Sequence, residues 1–294
     1  MIHPNKIIQR LRDSADIIDL ILLILSSGIG LALVHHLAYP IKWTQSGLFV
    51  LWTIFFYLGS EFLNNYLNKN LSEGDFSFSF YMTNIFRLLA VLFFSISVIP
   101  LVQILIASLK NYLVVYLICL IGLWFLLKNF LVSLIHVFGI SETISSFVIS
   151  FITPLVVLNI NRIRINEILF PIAFFVFLEI IAFKFISEMV RMVEKTYKVA
   201  GSSSHIGYFT LLRTITFLIP FGYLSGFFLL FSQGKYQLLK PLLITIPLAA
   251  LIVIKIARFH RYGNQSGFAK TIKPSAIIYV LLIEAAWIFG LWVC

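Results

Sequence analysis

From residue 17 to residue 38 the chain reads IIDLILLILSSGIGLALVHHLA. As a helix, a run of this length and apolarity crosses the hydrocarbon core of a bilayer, which is ~30 Å thick and takes about 20 residues. Further runs of the same kind follow at about residues 46–66, 81–108, 111–136, 144–160, 166–188, 207–232, 238–257 and 274–293. They are continuous rather than alternating. Each therefore reads as a helix, whose backbone groups bond within their own segment, and not as a strand of a membrane barrel. The predicted fold class is all-α: a polytopic membrane protein of nine transmembrane helices, forming a single integral membrane domain over residues 1–294.

With 60% hydrophobic residues, 12% charged residues and a mean hydropathy of +1.00, the chain is far too apolar for a water-soluble domain, where roughly a quarter of residues are charged. Residues 1–16 read as a polar, amphipathic lead-in on the cytoplasmic side. The first apolar run continues to a full span without a small-residue cleavage site, so the first helix is expected to stay. Cys119, inside an apolar run, and Cys294 offer neither metal-ligand spacing nor a plausible disulfide.

Of the 22 Lys and Arg, 19 lie outside the expected membrane interior, the exceptions being Arg87, Lys184 and Arg213. With the N-terminus in the cytoplasm, thirteen of these fall in cytoplasmic segments and six on the other side. The positive-inside bias thus predicts a cytoplasmic N-terminus, and an odd number of spans puts the C-terminus on the opposite side. This bias, with attraction to anionic headgroups, accounts for the net charge of +10, so nucleic acid is not an expected partner.

Polar residues crowd at two connections that share the cytoplasmic side. After the second run stands SEFLNNYLNKNLSEGDF, in which Glu61, Asn64 or Asn65, Asn68 and Ser72 recur at three- and four-residue intervals and line one helix face. On the sixth run Glu188, Arg191 and Lys195 recur likewise, with Lys184 one turn before and Glu179 deeper still. Polar residues at membrane depth face the bundle interior or a water-filled cavity. Two such faces opening to one side predict a shared cavity.

This arrangement resembles the UbiA superfamily of intramembrane prenyltransferases, and the expected architecture is a UbiA-like bundle. The family's first motif, N-D-x-x-D-x-x-x-D, is matched in frame by N-N-Y-L-N-K-N-L-S, Asn64 to Ser72. Its second, D-x-x-D-x-x-x-D, is matched by Glu188 to Lys195, followed by YKVAG ending at Gly201. Between them, SETISSFVISFITPLVVLN resembles a segment of menaquinone-type members, with Glu142, Pro154 and Leu155 in matching places. The resemblance implies binding of an isoprenoid lipid or prenyl diphosphate and, in an active member, transfer of the prenyl group to a lipophilic acceptor.

In the family the aspartates hold Mg²⁺ ions that clamp the diphosphate and neutralise the departing pyrophosphate. Here Asn65, Asn68 and Ser72 stand at the first motif and Glu188, Arg191 and Lys195 at the second, leaving one acid of six. No cofactor is expected, Mg²⁺ entering only if a conventional site exists elsewhere. One reading makes Asn64, Asn65, Asn68, Ser72, Glu188, Arg191 and Lys195 a metal-free diphosphate site, with amides donating, Arg191 binding bidentately and Lys195 as a point charge. The other makes the amides interfacial helix-end groups and pairs Arg191 with Glu188 or Glu194 along the helix. The second reading corresponds to a non-catalytic descendant, a lipid-binding or structural subunit whose partners are other membrane subunits.

Glu61, Arg87, Glu142 and Tyr197 are further cavity candidates. Arg87 and Arg213 are equally explained by snorkelling to headgroups, and Tyr66, Tyr197 and Tyr208 by an aromatic belt. His35 and His36 read as interfacial. Glu284, in the last run, has no partner that the sequence identifies.

Overall fold

The computed structural model describes residues 17–69, 76–108, 111–134, 140–163, 167–196, 205–262 and 265–293. Within these, the side chains of residues 67–69, 76–83, 128–134, 140–141, 191–196, 205–209, 259–262 and 265–270 lie outside the description.

The helices follow the apolar runs in order: α1 (Ile17–His36), α2 (Trp43–Lys69), α3 (Phe76–Ala107) and α4 (Tyr112–Leu134). Next come α5 (Ile140–Phe147), a π-helical turn (Val148–Ile152) and α6 (Thr153–Ile160), which together make one span. Then come α7 (Leu169–Thr196), α8 (His205–Ser232), a 3₁₀ turn (Tyr236–Leu238), α9 (Leu239–Tyr262) and α10 (Gln265–Val293). The described residues hold eight spans by length and apolarity, and the 23-residue α4 is long enough for a ninth. No strand occurs among them. The fold is thus an all-α polytopic bundle.

Helix ends overrun the apolar runs where polar turns continue into water. The last helix starts at Gln265 rather than near 274, because Gln265–Lys273 adds polar turns before the apolar stretch, and Pro274 sits inside it. The larger departure from expectation is the π turn. Pro154 stands two residues past it, cannot donate to the carbonyl four residues back, and would press its ring on that carbonyl in a regular helix. The wider turn relieves this: Val148 O accepts both the Thr153 backbone N–H and the Thr153 hydroxyl, at 2.9 Å for the latter.

Connections and bonds between helix ends define two faces. The segments after α1, α3, α6 and α8 meet at what we term the second face. There the Lys42 backbone N–H donates to Asn161 Oδ1 (2.6 Å), Asn161 Nδ2 donates to Ser46 Oγ (3.2 Å), and Asn111 Nδ2 to the Asn159 carbonyl (3.1 Å). The Lys42 ammonium donates to the Ile160 carbonyl at the end of α6, where the helix dipole favours a cation. Burial, and then the Arg162 charge nearby, hold the Lys42 pKa below its usual value. His35 stacks on Trp292 at 4.1 Å near this face. The N-terminal end of α1 lies at the opposite, first face.

The centre is built by α1, the α5–α6 span, α7 and α10, whose buried residues form one continuous cluster including Leu33, Val157, Phe175, Ile283 and Trp287. Small residues let α1 approach closely: a Cβ on Gly28 would meet Ile288, and one on Gly30 would meet Val157 and the Pro154 backbone. Helix α3 is peripheral. Only 22% of its span is buried, against 72% for α7, and it is zipped to α2 by Phe62–Phe86, Phe62–Phe93 and Phe56–Phe94 ring pairs.

Candidate functional site at the first face

Four helices bring polar residues to one buried point. Asp19, in the first turn of α1, accepts from the Lys184 ammonium of α7 at 2.8 Å, and that ammonium also donates to Ser145 Oγ of α5 at 2.7 Å. Both ions are secluded, with side-chain exposures of 11% for Lys184 and 5% for Asp19. A cavity of about 10 Å³, room for about one water, lies against Asp19, Ser145 and Tyr57 of α2, closed by Trp124 and Phe125 of α4.

The expected motif residues stand one turn nearer the first face on the same helices. Glu61 follows Tyr57 by four positions on α2, Glu188 follows Lys184 by four on α7, and Glu142 precedes Ser145 by three on α5. Glu61 is buried, while Asn64, Asn65, Glu142 and Glu188 are half-buried. Asn65 Nδ2 donates to the Glu61 carbonyl of its own helix at 2.8 Å, so part of its donor capacity is engaged locally. Asn68 lies on the last turn of α2, and Arg191 and Lys195 on the last turns of α7, with side chains outside the described residues; Ser72 and Tyr197 lie outside them altogether. Arg87 and Arg213 are exposed on α3 and α8.

Glu179 departs from its expected place. It precedes Glu188 by nine residues, which is about half a turn around the helix axis, and so faces α8 and α10 instead of the side that bears Glu188. There it begins a polar chain. The Tyr279 hydroxyl of α10 donates to Glu179 Oε2 (2.7 Å) and lies 3.3 Å from the Tyr223 hydroxyl of α8, which in turn donates to Thr245 Oγ1 of α9 (2.8 Å). Thr245 Oγ1 lies 3.1 Å from the Pro241 carbonyl. Glu179 Oε1 has no hydrogen-bond partner among the described residues and occupies the space that a side chain at Gly222 would fill. Glu284 does have a partner: Ser26 Oγ of α1 donates to it at 3.0 Å, far away in sequence but adjacent in the bundle.

Asp19, Ser145, Tyr57 and the hydroxyl chain stand outside the residues expected from sequence. A signal for Asp19 existed, since it and Lys184 are opposite charges near the same end of two expected spans. No group of three or more His, Cys, Asp or Glu residues able to hold a metal ion occurs among the described residues. Chemically, the first-face cluster can neutralise and orient a small polar or charged group, and within it Lys184 is paired with Asp19. Comparison of the chain with protein-family models, curated proteins and solved structures gives no match.

Proposed function

We propose that this integral membrane protein is a UbiA-like bundle that binds an isoprenoid lipid, its polar head seated at the first-face mouth between α2 and α7. The observation that carries this reading is the convergence of Asp19, Tyr57, Ser145 and Lys184, from four helices, one turn beneath Glu61, Glu142 and Glu188. Buried charge in a membrane bundle is costly and marks functional positions. A prenyl diphosphate would meet Asn64, Asn65 and Glu188 at the mouth, and Arg191 and Lys195 on the turns that follow along α7. If the chain is active, transfer of the prenyl group to a lipophilic acceptor is the reaction.

A second reading, a non-catalytic lipid-binding or structural subunit, is favoured by one observation. Asp19 already neutralises Lys184, and the cavity beside them holds about one water. Calorimetric titration of the purified protein with a non-hydrolysable prenyl diphosphate, first with Mg²⁺ and then with chelator, separates the two. Binding is expected to survive chelation and to weaken roughly tenfold or more in Arg191→Ala, the weight of one charge-assisted contact. Strict Mg²⁺ dependence would place a conventional site elsewhere. Absence of binding in both conditions would favour the structural subunit.

The distribution of Lys and Arg supports a cytoplasmic first face. A reporter fused after Cys294 is therefore expected on the non-cytoplasmic side, and a cytoplasmic reporter would reverse the assignment.

A further inference from the structure

A second, unrelated feature lies at the second face, where α9 and α10 run side by side. Small residues of α10, Ala285, Ala286 and Gly290, leave a groove of about 380 Å³ against Pro241, Ile244 and Leu248 of α9. This falls within the size of pockets that hold ligands, about 300–1,000 Å³. The approach at its outer end is tight, since any side chain at Gly290 would run into the Pro241 ring.

The lining fixes the chemistry of an occupant. Apart from Lys240 the groove presents one side-chain polar atom, Thr245 Oγ1, which is already engaged by Tyr223 and by the carbonyls of Pro241 and Leu242. Nothing along the groove thus asks for a polar partner, and a hydrocarbon chain satisfies it. Lys240 stands at the mouth, exposed, in the first turn of α9, and makes no ion pair among the described residues. The positive end of the helix dipole adds to its field. From Lys240 to Leu248 is eight residues, a depth of about 12 Å, close to half of the ~30 Å hydrocarbon core. The groove therefore runs from headgroup depth nearly to the bilayer midplane, with the cation at its outer end.

We infer that this groove holds one acyl chain of an anionic phospholipid, with the headgroup phosphate on Lys240. The site is separate from the first-face mouth and does not depend on the function proposed there.

The test is native mass spectrometry of the full chain in detergent micelles, titrated with phosphatidylglycerol and, separately, phosphatidylcholine of the same acyl chains. The wild type is expected to retain phosphatidylglycerol roughly fivefold better, the weight of one Lys at a membrane surface. Lys240→Gln should abolish that preference. Ala285→Phe, which fills the groove from an exposed position, should lower retention of both lipids. Leu92→Phe, on the lipid-facing side of α3 and 47% exposed, should change neither. A melting curve checks that Ala285→Phe is folded; if it is not, Ile244→Trp, from a residue 69% exposed, carries the same expectation. Inorganic phosphate at equal concentration should not compete. Preference retained in Lys240→Gln, retention unchanged in the groove-filling variant, or displacement by phosphate alone would each overturn the assignment.

Discussion

Lys184→Ala is expected to lower the stability of the bundle by about 3–5 kcal/mol, the cost of breaking a buried ion pair from one side. The geometry makes the effect large. The ammonium lies 2.8 Å from Asp19 Oδ2 and 2.7 Å from Ser145 Oγ, and its removal takes the neutralising cation from a carboxylate that is only 5% exposed. The double variant Asp19→Asn/Lys184→Met removes both charges at similar volume, and should recover most of the loss, because a buried pair and a neutral replacement are often nearly equal in stability. Unfolding in mixed micelles, compared across wild type, Asp19→Asn, Lys184→Met and the double variant, gives the coupling directly. A loss below about 1 kcal/mol in Lys184→Ala would put the pair in the class of solvated surface contacts and remove the buried charge on which the first-face site depends.

The second large effect is steric. A Cβ at Gly30 would stand 2.8 Å from Val157 Cβ and 3.0 Å from the Pro154 carbonyl oxygen. Neither neighbour is the end of a flexible side chain, so α1 and α6 must move apart. Gly30→Val is therefore expected to cost about 3 kcal/mol, the upper end of the usual range for overpacking. Close approach at small residues is also the main source of helix association in lipid, where the hydrophobic effect does not drive one helix onto another. Gly47 is the internal comparison. Nothing lies within 4 Å of its Cβ position, so Gly47→Ala should be neutral or stabilising by up to about 1 kcal/mol. A loss in Gly30→Val without one in Gly47→Ala would establish that α1 is held by contact. Equal effects would mean that helix propensity alone is being measured.

The spans were legible because lipid imposes a coarse rule, about 20 apolar residues per crossing, and every run that met it is a helix or, in α5–α6, a helix with a turn of different pitch. That turn was not legible. One extra residue per turn changes no composition, and its one trace is Pro154 in the middle of an apolar run. Of the candidate site, the helix faces bearing Glu61 and Glu188 could be read from four-residue spacing. The groups that join them could not, because Asp19 meets Lys184 across 165 positions and Ser26 meets Glu284 across 258. Local periodicity says which way a residue points on its own helix; which helix stands opposite is decided by packing of the whole bundle. Glu179 illustrates the limit from the other side. Grouping it with Glu188 by proximity along the chain ignored the half turn between them, and the structure gives it to Tyr279 instead.

The π turn at Val148–Ile152 determines how Ser145 and Glu142 are aimed. A residue of an α-helix advances the azimuth by about 100°, so the surplus residue in a single π turn sets the angular phase of everything on the N-terminal side of it. Ser145 and Glu142 lie on that side, and the half anchored at the second face through Asn159 and Asn161 lies on the other. Rewinding the turn to regular α-helix would swing Ser145 away from Lys184 without disturbing a single anchor at the far end. The orientation of Ser145 and Glu142 is thus indexed by a backbone hydrogen-bond count some four residues further along the span, and a change of that count with no residue removed would act on them as a rotation.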